Sequence, residues 1–183
     1  CVYDYRDRKY QCTDRVGGVT TYTYDVANHL IKIADADSAT NGVTDYTYDN
    51  RGLLDSETFP AGVAGKRTKR TYAYDNGQRL STRTVTTVPA ATPALNEVTT
   101  YGYDLGNRLT GRSYNDGAGN DTFAYDNANR LTQGVSGRYG ATVDRGYTGN
   151  APAEKAGRLT SERLTLAGAN AGVIRVRSVG FMS

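Results

Sequence analysis

Tyr22-Thr23-Tyr24-Asp25, followed by Asn28 and Leu30, is the stretch on which the fold turns. The sequence repeats it. Tyr46, Tyr48, Asp49, Gly52 and Leu54 form a second copy, and Tyr72, Tyr74, Asp75 and Leu80 a third, with Gln78 in the Asn/Gly place. Tyr101, Tyr103, Asp104, Asn107 and Leu109 follow, then Phe123, Tyr125, Asp126, Asn129 and Leu131. With the second aromatic as position zero, Asp stands at +1, Asn or Gly usually at +4, and Leu at +6. Successive copies are 24, 26, 29 and 22 residues apart. The variation lies in the connectors and not in the motif, which is how repeat proteins carry insertions.

Each copy predicts a β-hairpin. Two aromatics separated by one residue share a face of a strand. The preceding Val19-Thr20-Thr21, Val43-Thr44 and Val98-Thr99-Thr100 are β-branched and favour strand. Asp at +1 accepts a hydrogen bond from the backbone two residues on and starts a turn. Asn or Gly at +4 tolerates the positive φ of a short loop with a bulge. Leu at +6 opens the return strand. A lone hairpin is not stable in water, so each docks on the next. The expected fold is all-β: tandem hairpins in a continuous antiparallel sheet with two open ends.

Composition agrees. The 183 residues hold 15 Tyr and 21 Gly, no Trp, and a hydrophobic fraction of 38%. Faces of Tyr and Thr are expected rather than a compact aliphatic core. The net charge of +3 is spread over both signs. Lys66-Arg67-Thr68-Lys69-Arg70 is the one basic cluster, read as part of a loop, and no basic stripe marks a nucleic-acid partner. No apolar run is long enough to span a membrane. Cys1 and Cys12 form a bridge within the chain, a bridge between chains, or two unpaired thiols. A lipidated Cys1 fits poorly, because Val2-Tyr3-Asp4-Tyr5 offers no flexible tether. With Met182 as its one methionine, the chain reads as a piece of something longer.

Residues 1–18 read as an N-terminal segment or a decayed repeat, since Tyr3-Asp4 lacks the Leu at +6. Residues 19–137 hold the five hairpins, the second closed by Pro60. Residues 138–183 hold a degenerate sixth copy, from Tyr147 to Arg158-Leu159-Thr160, with an insertion around Pro152, and a final strand, Val173–Val179. The one helical candidate, Ala153–Ala156, is too short to stand alone.

The motif as it stands, Tyr-x-Tyr-Asp-x-x-Asn-x-Leu, resembles the YD repeats of the rearrangement-hotspot (Rhs) family, over about residues 19–165. That family includes bacterial polymorphic toxins, the shell-forming components of insecticidal toxin complexes, wall-associated proteins and the animal teneurins. The resemblance implies a strip of a β-shell, barrel or filament at the cell surface or outside the cell. Its function would be enclosure, display or attachment. Partners would be further copies joined at open sheet edges, the rest of a longer parent chain, a cargo toxin or a cell-surface glycan. The family's toxin-bearing members also carry an aspartyl self-cleavage segment with an Asp-Pro pair, and this sequence has no Asp-Pro.

A carbohydrate-binding or adhesion module is the alternative, with the tyrosine rows as the sugar-facing surface. An enzyme is not expected. Asp25, Asp49, Asp75, Asp104 and Asp126 occupy equivalent turns, whereas a catalytic pair needs two carboxylates converging in different surroundings. His29 is the one histidine and sits at a +5 place read as variable; no phosphate loop, metal-ligand spacing or cofactor motif occurs.

Overall fold

The computed structural model describes residues 1–36, 42–62, 65–89, 96–147, 158–167 and 172–178. Every element in it is a β-strand. The chain divides into two compact units, Cys1–Val98 and Thr99–Ser183. The first holds β1 (Val2–Tyr3), β2 (Lys9–Thr13), β3 (Val19–Tyr24), β4 (Leu30–Ala34), β5 (Val43–Tyr48), β6 (Leu54–Ala61), β7 (Arg67–Tyr74) and β8 (Leu80–Val88). In the second are β9 (Asn96–Tyr103), which begins just before the boundary, β10 (Leu109–Tyr114), β11 (Asp121–Tyr125), β12 (Leu131–Ser136), β13 (Ala141–Tyr147), β14 (Leu159–Leu166) and β15 (Gly172–Ser178). Within each unit strand order is chain order, and the pairing is antiparallel.

The return strands open at the predicted leucines. Tyr24 pairs with Leu30, Tyr48 with Leu54, Tyr74 with Leu80, Tyr103 with Leu109, Tyr125 with Leu131 and Tyr147 with Leu159. A register shift follows each of these pairs, leaving residue +7 as a bulge. Position +4 carries the expected positive φ: 72° at Asn28, 80° at Gly52, 62° at Gln78, 61° at Asn107 and 63° at Asn129. A type I turn followed by a left-handed residue is a common short hairpin connection.

The aromatic face carries the tyrosine pairs and their apolar or charged cross-strand partners, such as Ile33 opposite Tyr22 and Glu57 opposite Tyr46. The other face is small and polar: Thr47 pairs with Ser56, Ala73 with Thr82, Gly102 with Gly111. Among the described residues no hydrophobic side chain is buried; the buried ones are Ser56, Thr99 and Asp121. The expected lack of an aliphatic core is therefore literal, and half-buried tyrosines do the packing.

Four readings of the sequence need correction. Tyr3, Asp4 and Lys9 make a hairpin with the same register and bulge as the others, because the backbone at +6 matters more than the Leu side chain. Pro60 does not close the second copy but lies inside β6, at a register shift between Thr58 and Ala61, where the ladder does not need its N–H. The basic cluster is not a loop: Arg67–Arg70 open β7, and strand alternation sends Arg67 and Arg70 to opposite faces. The final strand runs Gly172–Ser178, one residue earlier than expected. The insertion around Pro152 and the short helical candidate lie outside the described residues.

Candidate functional site

Each turn is built around its aspartate. In the third hairpin the Asp75 N–H donates to the Arg79 carbonyl (2.9 Å), and the Gln78 N–H donates to the Asp75 carbonyl (3.0 Å). The Asp75 carboxylate Oδ1 accepts from the backbone of Gly77 (2.8 Å) and Arg79 (2.9 Å). Its Oδ2 accepts from Arg79 Nε at 2.7 Å. Asp104 with Arg108 and Asp126 with Arg130 repeat this clasp, as does Asp4 with Arg8. Two hairpins vary it. His29 takes the arginine's place against Asp25 (Nδ1 to Oδ2, 2.9 Å), and Asp49 is clasped by Arg51 at +3.

Electrostatics follow the geometry. The backbone N–H at +5 and its guanidinium hold Asp75, Asp104 and Asp126 below the ordinary carboxylate value, against some desolvation. Arg8 does the same for Asp4, chiefly by its side-chain hydrogen bond. At Asp25 and Asp49 desolvation is the largest influence and pushes upward, but the summed hydrogen bonds outweigh it and the net shift is down.

The clasp also reaches the next hairpin. Between hairpins the ladder toward the turn edge ends at residue +8: Gln11 with Thr21, Lys32 with Asp45, Ser56 with Thr71, Gly111 with Thr122 and Gln133 with Asp144. Beyond it the position-zero tyrosine of the following hairpin takes over. Its hydroxyl donates to the carbonyl of residue +6 behind it: Tyr24 to Lys9 (2.9 Å), Tyr48 to Leu30 (3.0 Å), Tyr74 to Leu54, Tyr125 to Leu109 and Tyr147 to Leu131 (each 2.9 Å). The bulge interrupts the ladder at this carbonyl's neighbour and makes room for the hydroxyl.

The clasping cation of one hairpin then lies over the tyrosine ring of the next. Arg8 sits 4.5 Å from the Tyr24 ring centre, Arg51 5.9 Å from Tyr74, Arg108 5.1 Å from Tyr125 and Arg130 4.7 Å from Tyr147. His29 stacks on Tyr48 with ring centres 4.4 Å apart. Arg108 Nη1 also donates to the Asp126 carbonyl (3.1 Å) and to Asn129 Oδ1 (3.0 Å), so it ties two turns together. Aspartate, cation and tyrosine thus form a relay along the turn edge.

The sequence-predicted residues meet here, but their roles are finer than packing and turn formation. Tyrosine at position zero is a hydrogen-bond latch, which explains why the one aromatic lacking a hydroxyl, Phe123, stands at −2. The +5 place, read as variable, is a basic position. Its signal was the dipeptide in Arg79-Leu80, Arg108-Leu109, Arg130-Leu131 and Arg158-Leu159. Cys1 and Cys12 are joined by a disulfide across the first hairpin.

Charge is also built into the aromatic face. Arg70 pairs with Glu57 at 3.0 Å, and the Tyr72 hydroxyl donates to the same carboxylate at 2.6 Å. Burial, then that hydrogen bond and the Glu57 charge, push the Tyr72 phenol up to about 12. Arg67 donates to the carbonyls of Phe59, Thr58 and Val43 and pairs with Asp45, so this part of the basic cluster is spent inside the sheet. Among the described residues no three His, Cys, Asp or Glu side chains gather as a metal site.

Solved structures with this arrangement exist. Over 96% of its length the chain matches 10% of a chain in the crystal structure of TcdB2-TccC3-TEV, at TM-score 0.55 and 14% identity. It matches TcdB2-TccC3 without the hypervariable C-terminal region over 99% of this chain and 11% of that one, at TM-score 0.57 and 13% identity. A Photorhabdus luminescens Tc holotoxin pore gives 99% and 10%, TM-score 0.57 and 14% identity. This is a YD-shell-like fold. The chain spans about a tenth of the length of those shell-like chains. No family model matches the sequence, and no curated protein sequence does.

Proposed function

We propose that this chain is a section of the wall of a YD-repeat shell, and that its work is structural rather than catalytic. The observation carrying this reading is the relay. Every hairpin leaves a +6 carbonyl and a cation for the next hairpin to use, so the unit is made to be continued. A sheet with no buried apolar side chain among its described residues gains stability from neighbours of its own kind. In this role the wall belongs to a secreted or surface-borne particle. Its partners are the strands that continue it at β1 and β15, whether from the same parent chain or from further copies. Unpaired strand edges recruit further strands.

Electron microscopy and sedimentation of the 183-residue chain test the reading. Rings, threads or larger particles that grow with concentration are the expected result. A monodisperse small monomer at high concentration, melting cooperatively, would overturn it.

A further inference from the structure

The fifth hairpin departs from the pattern twice at one spot. In the other hairpins the residue at −2 is tyrosine, and it faces a side chain across the strand pair: Ile33 opposite Tyr22, Glu57 opposite Tyr46, Arg83 opposite Tyr72, Arg112 opposite Tyr101. Here the aromatic is Phe123, without a hydroxyl, and its partner is Gly134, without a side chain. The aromatic face opens at this pair into a cavity of about 240 Å³, lined among others by Phe123, Leu131, Val143, Asp121 and Arg112.

Its polar wall is unfinished. The Asp121 side chain is 4% exposed, and its Oδ2 accepts from the Tyr114 hydroxyl (2.6 Å) and from Arg112 Nη2 (2.7 Å). The other carboxylate oxygen, Oδ1, is buried with no hydrogen-bond partner, and so is Arg112 Nε. Desolvation pushes the Asp121 carboxyl up, but Tyr114, the nearby Ser136 hydroxyl and Arg112 outweigh it and keep it ionised. An acceptor and a donor thus stand unused on the two partners of one ion pair, beside an aromatic ring. Buried polar groups without partners are uncommon in native proteins, because each forfeits its hydration.

We infer that this cavity is a binding site for a pyranose ring. One ring hydroxyl donates to Asp121 Oδ1, and its neighbour accepts from Arg112 Nε. The C–H face of the sugar covers Phe123 and the aliphatic side chains of Leu131 and Val143. A vicinal diol brings the needed donor and acceptor together without a charge of its own, which suits a wall whose two charges already neutralise each other. The absence of a side chain at Gly134 is the room the ring occupies: a Cβ there would lie 3.7 Å from Phe123 Cδ1, in ordinary contact, and anything larger would fill the space.

Saturation-transfer NMR on the 183-residue chain tests this with methyl α-glucopyranoside, methyl β-galactopyranoside and methyl α-mannopyranoside, with cyclohexanol as control. At least one glycoside is expected to bind with a Kd of about 1 mM, the range open to one small ring. Binding should fall at least tenfold in Gly134→Val, with circular dichroism unchanged. Should Gly134→Val fail to fold, Phe123→Leu, which keeps the apolar wall but removes the ring, should still weaken the glycoside. No transfer to any glycoside would overturn the site. So would binding that survives both variants, or cyclohexanol binding as tightly as the sugars.

Discussion

Two turns in the first unit share a backbone and differ in what they do. Between β2 and β3, the Asp14 N–H donates to the Gly18 carbonyl (2.9 Å), and the Asp14 carboxylate accepts from the N–H groups of Val16 and Gly18 (2.8 Å each). Gly17 supplies the positive φ, at 90°. Between β7 and β8, Asp75 does the same with Gly77, Gln78 and Arg79. Residue +5 separates them. Gly18 has no side chain, while Arg79 clasps the aspartate. The register differs too: Thr13 pairs with Val19 without a bulge, whereas a bulge follows Tyr74 and Leu80. A third turn, Gly62 to Lys66, keeps the two backbone bonds without any aspartate. The backbone loop is thus general, the aspartate reinforces it, and the basic residue with the tyrosine turns a local bend into a joint between hairpins.

Removing the joint should cost most. Tyr74→Ala deletes a half-buried ring and its latch to Leu54, and should lower stability by about 2 kcal/mol, roughly half the loss for a fully buried aromatic. Tyr74→Phe keeps the ring and should cost about 1 kcal/mol, the worth of one hydrogen bond. Urea titration of both variants separates latch from packing. Equal losses would mean that the hydroxyl contributes nothing.

The turn backbone gives the next effect, of opposite sign. Gln78 holds φ at 62°, where a long side chain is strained. Gln78→Gly should stabilise by about 0.5–1 kcal/mol, read as a higher denaturation midpoint, because relief of strain exceeds the added freedom of the unfolded chain. A lower midpoint would show that the Gln side chain holds the turn in some other way.

Acid then sharpens the contrast. The clasped carboxyls are lowered in the folded state, so their contribution is complete above the ordinary aspartate value of about 4 and is lost as pH falls through the lowered values. Asp75→Asn should therefore reduce the melting temperature at neutral pH by a few degrees and flatten its fall in acid. Asp14→Asn, at a turn without a clasp, should do less of both. Identical pH–melting curves for the two variants would dissolve the distinction.

His29→Arg should have the smallest effect, a gain of a few tenths of a kcal/mol at neutral pH, as for a half-exposed ion pair. It replaces the lone histidine in the relay by the residue found at Arg79, Arg108 and Arg130. A loss in differential scanning calorimetry would mean that the stack on Tyr48 matters more than the charge.

From the sequence alone came the hairpins, their order, the position of each turn and the start of each return strand. Strand alternation and positive-φ preference act over a few residues, so Tyr-x-Tyr-Asp and the Asn or Gly at +4 carry them in full. Legible in part were the basic residues at +5, visible as a repeated Arg-Leu but without a role until Tyr24, Tyr48, Tyr74, Tyr125 and Tyr147 were seen against the preceding hairpin. The tertiary structure decided what lies between hairpins: the end of the ladder at +8, the hydroxyl latch at +6, and the gap left by Phe123 and Gly134. These depend on side chains some twenty residues apart meeting across strands, and no local periodicity encodes such a meeting.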